Sequence, residues 1–361
     1  MERKQKRIDI TLAIIVILLL VVGLILLYST STYNGRVKFK DEMYYVKKQI
    51  FATILGLVAG VVVSYMDYHI VARFAYGIYA TSIVLSTAVL FFGQEYNGSK
   101  RWLVLGPLSF QPAEFAKVAV ILLIAYTISN SSKQKMGLGE IIKIMLWILP
   151  IVALVGTNNL STAVIILGIG VISIFVAHPG YLPFVGIGAV GIGVVTVFLM
   201  MESYRLERLA IWRNPEKYEK GFQTLQGLYA IGSGGVFGNG LGNSLQKLGF
   251  VPEAQNDMIF SIICEETGLV GASAVILLFG LLIWRLMVNA VWAPDLLGGL
   301  ICAGIMAHMA LQVILNIAVV TNTIPNTGIT LPFVSYGGTS VLFLMSEMGL
   351  ALSVSRYVKT S

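Results

Sequence analysis

The sequence contains long, mostly apolar stretches without an Asp, Glu, Lys or Arg residue, and these stretches restrict the possible folds more than any other feature. They include residues 10–35, 49–66, 74–94, 144–201 and 296–346. A soluble domain of 361 residues does not leave such gaps between its charges, whereas a transmembrane helix needs about 20 consecutive, mostly apolar residues. Because 57% of the residues are hydrophobic and only 12% are charged, we predict an all-α polytopic membrane protein.

Breaks at polar residues, proline and glycine divide these stretches into about ten predicted transmembrane helices. The predicted spans are residues 10–28, 50–66, 72–92, 113–129, 141–156, 160–176, 182–201, 262–284, 297–320 and 339–356. An even number of spans places both termini on one side of the membrane. Four basic residues precede the first span and favour a cytoplasmic location for both termini: Arg3, Lys4, Lys6 and Arg7.

Two connecting segments stand out from the otherwise short loops. Residues 202–256 form a predicted large extracytoplasmic loop between the seventh and eighth spans, with six basic residues and a glycine-rich centre at 231–244 that matches no nucleotide-binding motif. Residues 321–340 are apolar but contain two prolines and three glycines. Irregular backbone at membrane depth survives only against protein or a wet cavity, so we predict a re-entrant segment. An ordinary exposed loop is the alternative.

Asp257 lies where the long loop enters the eighth span, in the run VPEAQNDMIFSIICEETG. A carboxylate at a membrane edge can meet a water-soluble acceptor and a lipid-borne donor together, and a partly dry setting can raise its basicity. The same position also suits the N-cap of a helix, where Asp is among the preferred residues. The residues alone leave both interpretations open.

Other charged residues at predicted span ends are further candidates. Glu114 and Lys117, three residues apart in the first turns of the fourth span, form either a local ion pair or part of a site. Arg205 and Arg208 either clamp a pyrophosphate or extend their charges to the membrane surface. Arg101 stands beside Trp102, a typical interfacial anchor.

Several polar residues fall inside the predicted spans. Glu265 and its neighbour Glu266 must face protein or water, where they contact substrate or brace a buried network. His308, Gln312 and Asn316 are spaced by four and form one polar stripe, a pattern more typical of contacts between helices than of catalysis.

Four motifs occur in a characteristic order along the chain. They are KRWLVLGPLSFQPAEFAK, YRLERLAIWRNPEKYEKGFQTLQGLYAIGSGGVFGNGLG, VPEAQNDMIFSIICEETGLVG and NIAVVTNTIPNTGITLPFVSYGGTS. Together they resemble the SEDS family, which includes FtsW, RodA and SpoVE, and the last motif is closer to the FtsW and SpoVE type. The resemblance extends over nearly the whole chain.

This resemblance implies a peptidoglycan glycosyltransferase that polymerises lipid II at the outer face of the bacterial cytoplasmic membrane. It implies a class B penicillin-binding protein and other division proteins as partners, and no nucleic acid. Asp257 corresponds to the essential acid of the family. The implied substrate-binding residues are Arg101, Glu114, Lys117, Arg205, Arg208, Glu265 and Ser335.

The implied reaction is a single displacement with inversion, for which Asp257 is the expected general base and nearby cations offset charge on the leaving pyrophosphate. A divalent cation, Mg²⁺ or Mn²⁺, is compatible with this chemistry, but no ligand cluster in the sequence identifies a site. Two other functions fit the same charges: a lipid II transporter, or a non-catalytic scaffold for division.

Overall fold

The computed structural model describes residues 8–96, 99–105, 108–131, 137–178, 180, 183–186, 188, 191, 193 and 209–358. Its helices are α1 Ile10–Phe39, α2 Tyr44–Tyr65, α3 Tyr68–Arg73, α4 Ala75–Phe92, α5 Pro112–Ser129, α6 Leu138–Asn158, α7 Leu160–Ala177, α8 Phe222–Ser233, α9 Ile259–Val291, α10 Leu296–Val320 and α11 Thr339–Ser355. Two 3₁₀ turns, Pro215–Lys217 and Glu219–Gly221, precede α8.

Among the described residues, eight helices are long and apolar enough to cross a membrane, and α11 is a shorter apolar helix. The prediction of a mostly helical, multi-pass membrane protein is therefore confirmed. The predicted span at 182–201 lies largely outside the described residues. Some helices exceed the predicted spans: α1 continues to Phe39, and α9 begins before and ends after residues 262–284. Hydropathy marks the apolar part of a helix, whereas backbone hydrogen bonding decides where the helix ends.

A small antiparallel sheet between α4 and α5 departs from the all-α expectation. Its strands are β1 Gln94–Tyr96, β2 Ser99–Leu105 and β3 Leu108–Phe110, in the order β1-β2-β3. Gln94 pairs with Trp102, and Leu103 pairs with Phe110. Two of the three strands have only three residues, too few to show the alternation by which a strand is recognised in a sequence.

Helix α9 is interrupted near the start of its membrane segment, and the glycine-rich part of the long loop packs against the break. Gly268 has φ 65° and ψ −166° inside the helix. The backbone N–H groups of Asn239 and Gly240 donate to the carbonyls of Glu265 and Glu266, at 2.9 Å each. In return, the N–H group of Leu269 donates to the Gly235 carbonyl at 3.0 Å. The loop therefore supplies the hydrogen bonds that the broken helix has lost.

Helices α2 and α11 approach each other closely at two glycines. A β-carbon added at Gly349 would lie 2.5 Å from the Gly60 carbonyl oxygen, and one added at Gly60 would lie 2.8 Å from the Met345 carbonyl oxygen. Small residues at helix contacts are how membrane helices gain van der Waals packing, because lipid provides no hydrophobic force between them. This contact fixes α11 beside α2.

We expect the substitution Gly349→Ala to destabilise the protein by about 1–3 kcal/mol, because the new methyl group would overlap backbone atoms that cannot move independently. Thermal unfolding in detergent measures the effect. Gly77→Ala in α4 is the matched control, since a β-carbon there meets nothing within 4 Å. Equal melting temperatures for the two variants would contradict the close contact.

Candidate active site

One end of the helix bundle contains a cavity of about 480 Å³. Its walls come from the end of α1, the beginnings of α2, α5, α7, α8 and α11, the small sheet, and the irregular segments around residues 253–257 and 328–338. Gln312 of α10 also lines it. Four of the residues predicted from the sequence line this cavity: Arg101, Glu114, Lys117 and Asp257. Residues from opposite ends of the chain are thus brought to one chamber.

Asp257 is half-buried and directly precedes the N-cap of α9. That N-cap is Met258, which makes no capping hydrogen bond through its side chain. An N-cap carboxylate normally accepts from the second or third helical N–H. In this structure the N-cap position belongs to Met258, so Asp257 is not the cap of α9.

The surroundings of Asp257 raise the pKa of its carboxyl group to about 6. Burial is the main cause, and the negative charge of Glu253 adds to it. The backbone hydrogen bonds from Asp257 and Met258 and the positive charge of Arg101 act in the opposite direction. The result is a carboxylate that is ionised at neutral pH and is more basic than an ordinary aspartate.

Glu114 and Lys117 form a buried ion pair beside the cavity. Pro112 occupies the first turn of α5, which suits proline because its nitrogen has no hydrogen to donate. Lys117 Nζ lies 2.9 Å from Glu114 Oε1, and the two residues are 1% and 7% exposed. Removing both charges from water costs more than a surface pair gains, so this pair is not a typical solvated helix pair.

Arg101 lies on β2, and its Nε donates to the Asn158 carbonyl at the end of α6, at 2.9 Å. Carbonyls at helix C-termini have no partners within the helix, so this contact is favourable and fixes the guanidinium group at the cavity wall. Trp102 lines the same cavity. Arg205 and Arg208 lie outside the described residues.

Two predicted substrate contacts do not line the cavity. The buried carboxylate of Glu265 accepts from the Ser244 hydroxyl and, at 3.0 Å, from the Leu245 backbone N–H, which is the bracing alternative that the sequence left open. Ser335 is also buried, and its hydroxyl donates to the Asn256 carbonyl at 2.7 Å. Both side chains brace the segments around the cavity, because these irregular segments leave polar groups that need partners.

Several cavity residues were not predicted from the sequence. Glu253 lines the cavity with a backbone φ of 53°, an uncommon conformation for a residue with a side chain, and its Oε2 accepts from Asn256 Nδ2 at 2.5 Å. Aromatic rings form another part of the wall: Phe39, Tyr44, Tyr45 and Tyr336. The closeness of Glu253 to Asp257 in the sequence could have indicated that Glu253 belongs to the same site. The aromatic residues could not have been recognised without the fold, because in the sequence they look like ordinary interfacial anchors.

The described residues do not assemble a set of three or more His, Cys, Asp or Glu side chains able to hold a metal ion. Four carboxylates line the cavity without forming such a group: Glu95, Glu114, Glu253 and Asp257.

Comparison with known proteins identifies the family. The family described as Cell cycle protein, which groups FtsW, RodA and SpoVE, matches residues 10–360. Stage V sporulation protein E of Bacillus subtilis (strain 168) is 36% identical over 363 residues, covering 99% of this chain and 99% of that protein. A protein named Probable peptidoglycan glycosyltransferase FtsW, from Trichlorobacter lovleyi, is 32% identical over 97% of this chain and 94% of its own length.

Solved structures show the same fold. One chain, from work on the structural coordination of polymerization and crosslinking by a peptidoglycan synthase complex, superposes with a TM-score of 0.82 at 29% identity, covering 97% of this chain and 98% of that chain. The crystal structure of the Thermus thermophilus rod shape determining protein RodA gives a TM-score of 0.73 at 27% identity, covering 98% of both chains. The resemblance seen in the four motifs is confirmed, and the chain belongs to the FtsW, RodA and SpoVE family, the SEDS family.

Proposed function

We propose that this protein polymerises lipid II into β-1,4 glycan strands at the outer face of the bacterial cytoplasmic membrane, with Asp257 as general base, and that it does so in cell division. The protein is a peptidoglycan glycosyltransferase of the SEDS family. The observation that supports the detailed proposal best is the cavity itself, which combines a carboxylate of raised pKa with the cations of Arg101 and Lys117.

In the proposed reaction, the 4-hydroxyl oxygen of the acceptor sugar attacks the anomeric carbon of the donor. The bond from that carbon to the pyrophosphate oxygen breaks, and the undecaprenyl pyrophosphate leaves with the bonding electrons. Asp257 takes the proton of the attacking hydroxyl, and the single displacement inverts the α-linked donor to a β linkage. Every atom and charge is accounted for without a covalent enzyme intermediate.

The cations have a separate part in this mechanism. Negative charge grows on the pyrophosphate oxygen as the donor bond breaks, and groups already oriented towards that charge stabilise the transition state. Arg101 is held by the end of α6, and Lys117 is held by Glu114 and Gln312. Both cations are thus fixed before substrate arrives, and little reorganisation is needed during the reaction.

The proposed partner follows from one of the structural comparisons. The complex that contains one structural neighbour couples polymerization with crosslinking. A class B penicillin-binding protein, which crosslinks the glycan, is therefore the proposed partner of this chain, together with other division proteins. We propose that the cavity lies on the extracytoplasmic side and both termini in the cytoplasm, because the basic residues precede α1 in the sequence whereas Phe39, at the other end of α1, lines the cavity.

Purified protein, combined with its crosslinking partner and labelled lipid II, tests the activity directly. We expect glycan polymer. Movement of lipid II across liposomes without polymer would instead identify a transporter, and neither product nor movement would identify a scaffold. Gel separation of the labelled glycan and a leaflet-accessibility assay for the lipid distinguish these results.

The substitution Asp257→Asn should lower kcat by about 10²–10⁴-fold, equivalent to roughly 3–5 kcal/mol of barrier, because asparagine cannot accept the hydroxyl proton. Folding should be largely unchanged, as judged by thermal unfolding. Asp41→Asn is a suitable control, since Asp41 lies in an exposed ion pair with Lys47 on the same end of the bundle. Polymer synthesis at the wild-type rate by Asp257→Asn would exclude the base assignment.

The pKa of Asp257 predicts the pH dependence of the reaction. Only the ionised carboxylate accepts a proton, so kcat/KM should be constant at neutral pH and fall about tenfold per pH unit below pH 6. The Glu253→Gln substitution removes a neighbouring negative charge, which lowers the pKa of Asp257 and moves this fall to lower pH. Rate profiles of both proteins between pH 4.5 and pH 8, about two units around that pKa, measure the shift. A shift to higher pH would contradict the assignment.

A further inference from the structure

The polar stripe on α10 makes hydrogen bonds to two charged residues of the cavity, to the side chain of Lys117 and to the backbone of Asp257. His308, Gln312 and Asn316 are all buried, and their spacing by four places them on one face of the helix. A stripe that only joined helices would bond to whichever neighbour was nearest. The bonds of Gln312 and Asn316 instead end on cavity residues and on the irregular segment at residues 321–338.

Gln312 makes three hydrogen bonds through one amide group. Its Nε2 donates to the Thr330 carbonyl at 3.0 Å. Its Oε1 accepts from Lys117 Nζ at 3.0 Å and from His308 Nε2 at 2.7 Å. Because only the NH₂ group can donate to a carbonyl, the contact with Thr330 fixes which side of the amide faces Lys117.

Asn316, one helical turn further along α10, also bonds to the irregular segment and to a cavity residue. Its Nδ2 donates to the carbonyl of Asp257 at 2.9 Å and to the carbonyl of Ile329 at 2.7 Å. The carbonyls of Ile329 and Thr330, which are consecutive, are therefore held by two side chains of the same helix face. This arrangement sets the position of the Asp257 backbone relative to the ammonium group of Lys117.

His308 supports this arrangement through its hydrogen bond to Gln312. Its Nδ1 lies 2.8 Å from Glu347 Oε2 on α11, and both side chains are buried. Since Gln312 Oε1 can only accept, His308 Nε2 carries a proton and donates this hydrogen bond. The Glu347 carboxylate lies against the other ring nitrogen and fixes the orientation of the ring.

We propose that Gln312 and Asn316 are positioning residues for the glycosyl transfer, which hold Lys117 and Asp257 at the separation that the reaction requires. This inference rests on the proposed role of Asp257 as base. Neither amide touches the reacting atoms in this account; each acts through the residue it holds. Because a displacement of about 1 Å at a reacting group can cost about 10²-fold in rate, loss of either amide should be visible in kcat.

Two substitutions of Gln312 separate positioning from simple structural support. Gln312→Glu keeps oxygen acceptors for Lys117 and His308 but adds a buried carboxylate, whereas Gln312→Met has a similar size and no acceptor. Burial of a further charge should make the Glu variant the less thermally stable of the two. If Gln312 positions Lys117, the Glu variant should nevertheless have the higher kcat, with Gln312→Met reduced about 10–100-fold.

Asn316→Leu provides the second test, with Asn289→Leu as its matched control. Asn289 is a buried asparagine near the far end of α9, away from the cavity, so both variants replace a buried amide by a side chain of similar volume. We expect Asn316→Leu to lower the melting temperature more, because it leaves the carbonyls of Asp257 and Ile329 without their donor, whereas the Asn289 Nδ2 group makes no hydrogen bond within the described residues that leucine would remove. The kcat of Asn316→Leu should fall about 10–100-fold, whereas that of Asn289→Leu should stay within about twofold of the wild type when expressed per folded molecule.

The inference is overturned if kcat follows melting temperature across all four variants, or if Gln312→Met and Asn316→Leu polymerise at the wild-type rate. These results differ from a failure of the base assignment, because Asp257→Asn measured in parallel reports on that assignment alone. Loss of activity in Asp257→Asn with no loss in Gln312→Met and Asn316→Leu would leave the base in place and remove the positioning role.

Discussion

Backbone N–H and C=O groups at membrane depth have no water to bond with, and the structure is organised around satisfying them wherever helices are interrupted. Two interruptions matter most. The break of α9 at Gly268 is completed by backbone groups of the glycine-rich loop. The irregular segment at residues 321–338 is completed by side chains from α10, where Gln312 and Asn316 bond to consecutive carbonyls. The cavity exists because irregular backbone can be held beside it.

Buried charges in this protein fall into two groups with different consequences. Lys247 Nζ lies 2.6 Å from Glu266 Oε1. This pair does not line the cavity, and it anchors the loop to the broken helix. Glu114 pairs with Lys117 at the cavity wall. Each pair carries a desolvation cost that a solvated surface pair avoids. The first pair holds the fold of the loop, whereas the second keeps a cation at the wall of the cavity.

Asp257 lies at the entrance of α9 without serving as its cap, because Met258 is the N-cap. Burial and the charge of Glu253 raise the pKa of Asp257 to about 6, which outweighs the lowering effects of the nearby backbone N–H groups and of Arg101. A simple capping carboxylate would be expected to show a lowered pKa, because charged hydrogen bonds favour the ionised form.

The sequence by itself determined the membrane-spanning helices, the position of Asp257 at the entrance of α9 and the pairing of Glu114 with Lys117. These features depend on composition along the chain or on contacts within one helical turn, and such information is local. Only the tertiary structure decided that Glu265 braces the loop, that a small sheet covers the site, and that Gln312 and Asn316 reach Lys117 and Asp257. Those outcomes depend on how each helix is rotated against its neighbours, and a charge-free span carries little periodic signal for that rotation because lipid and protein interior are similarly apolar.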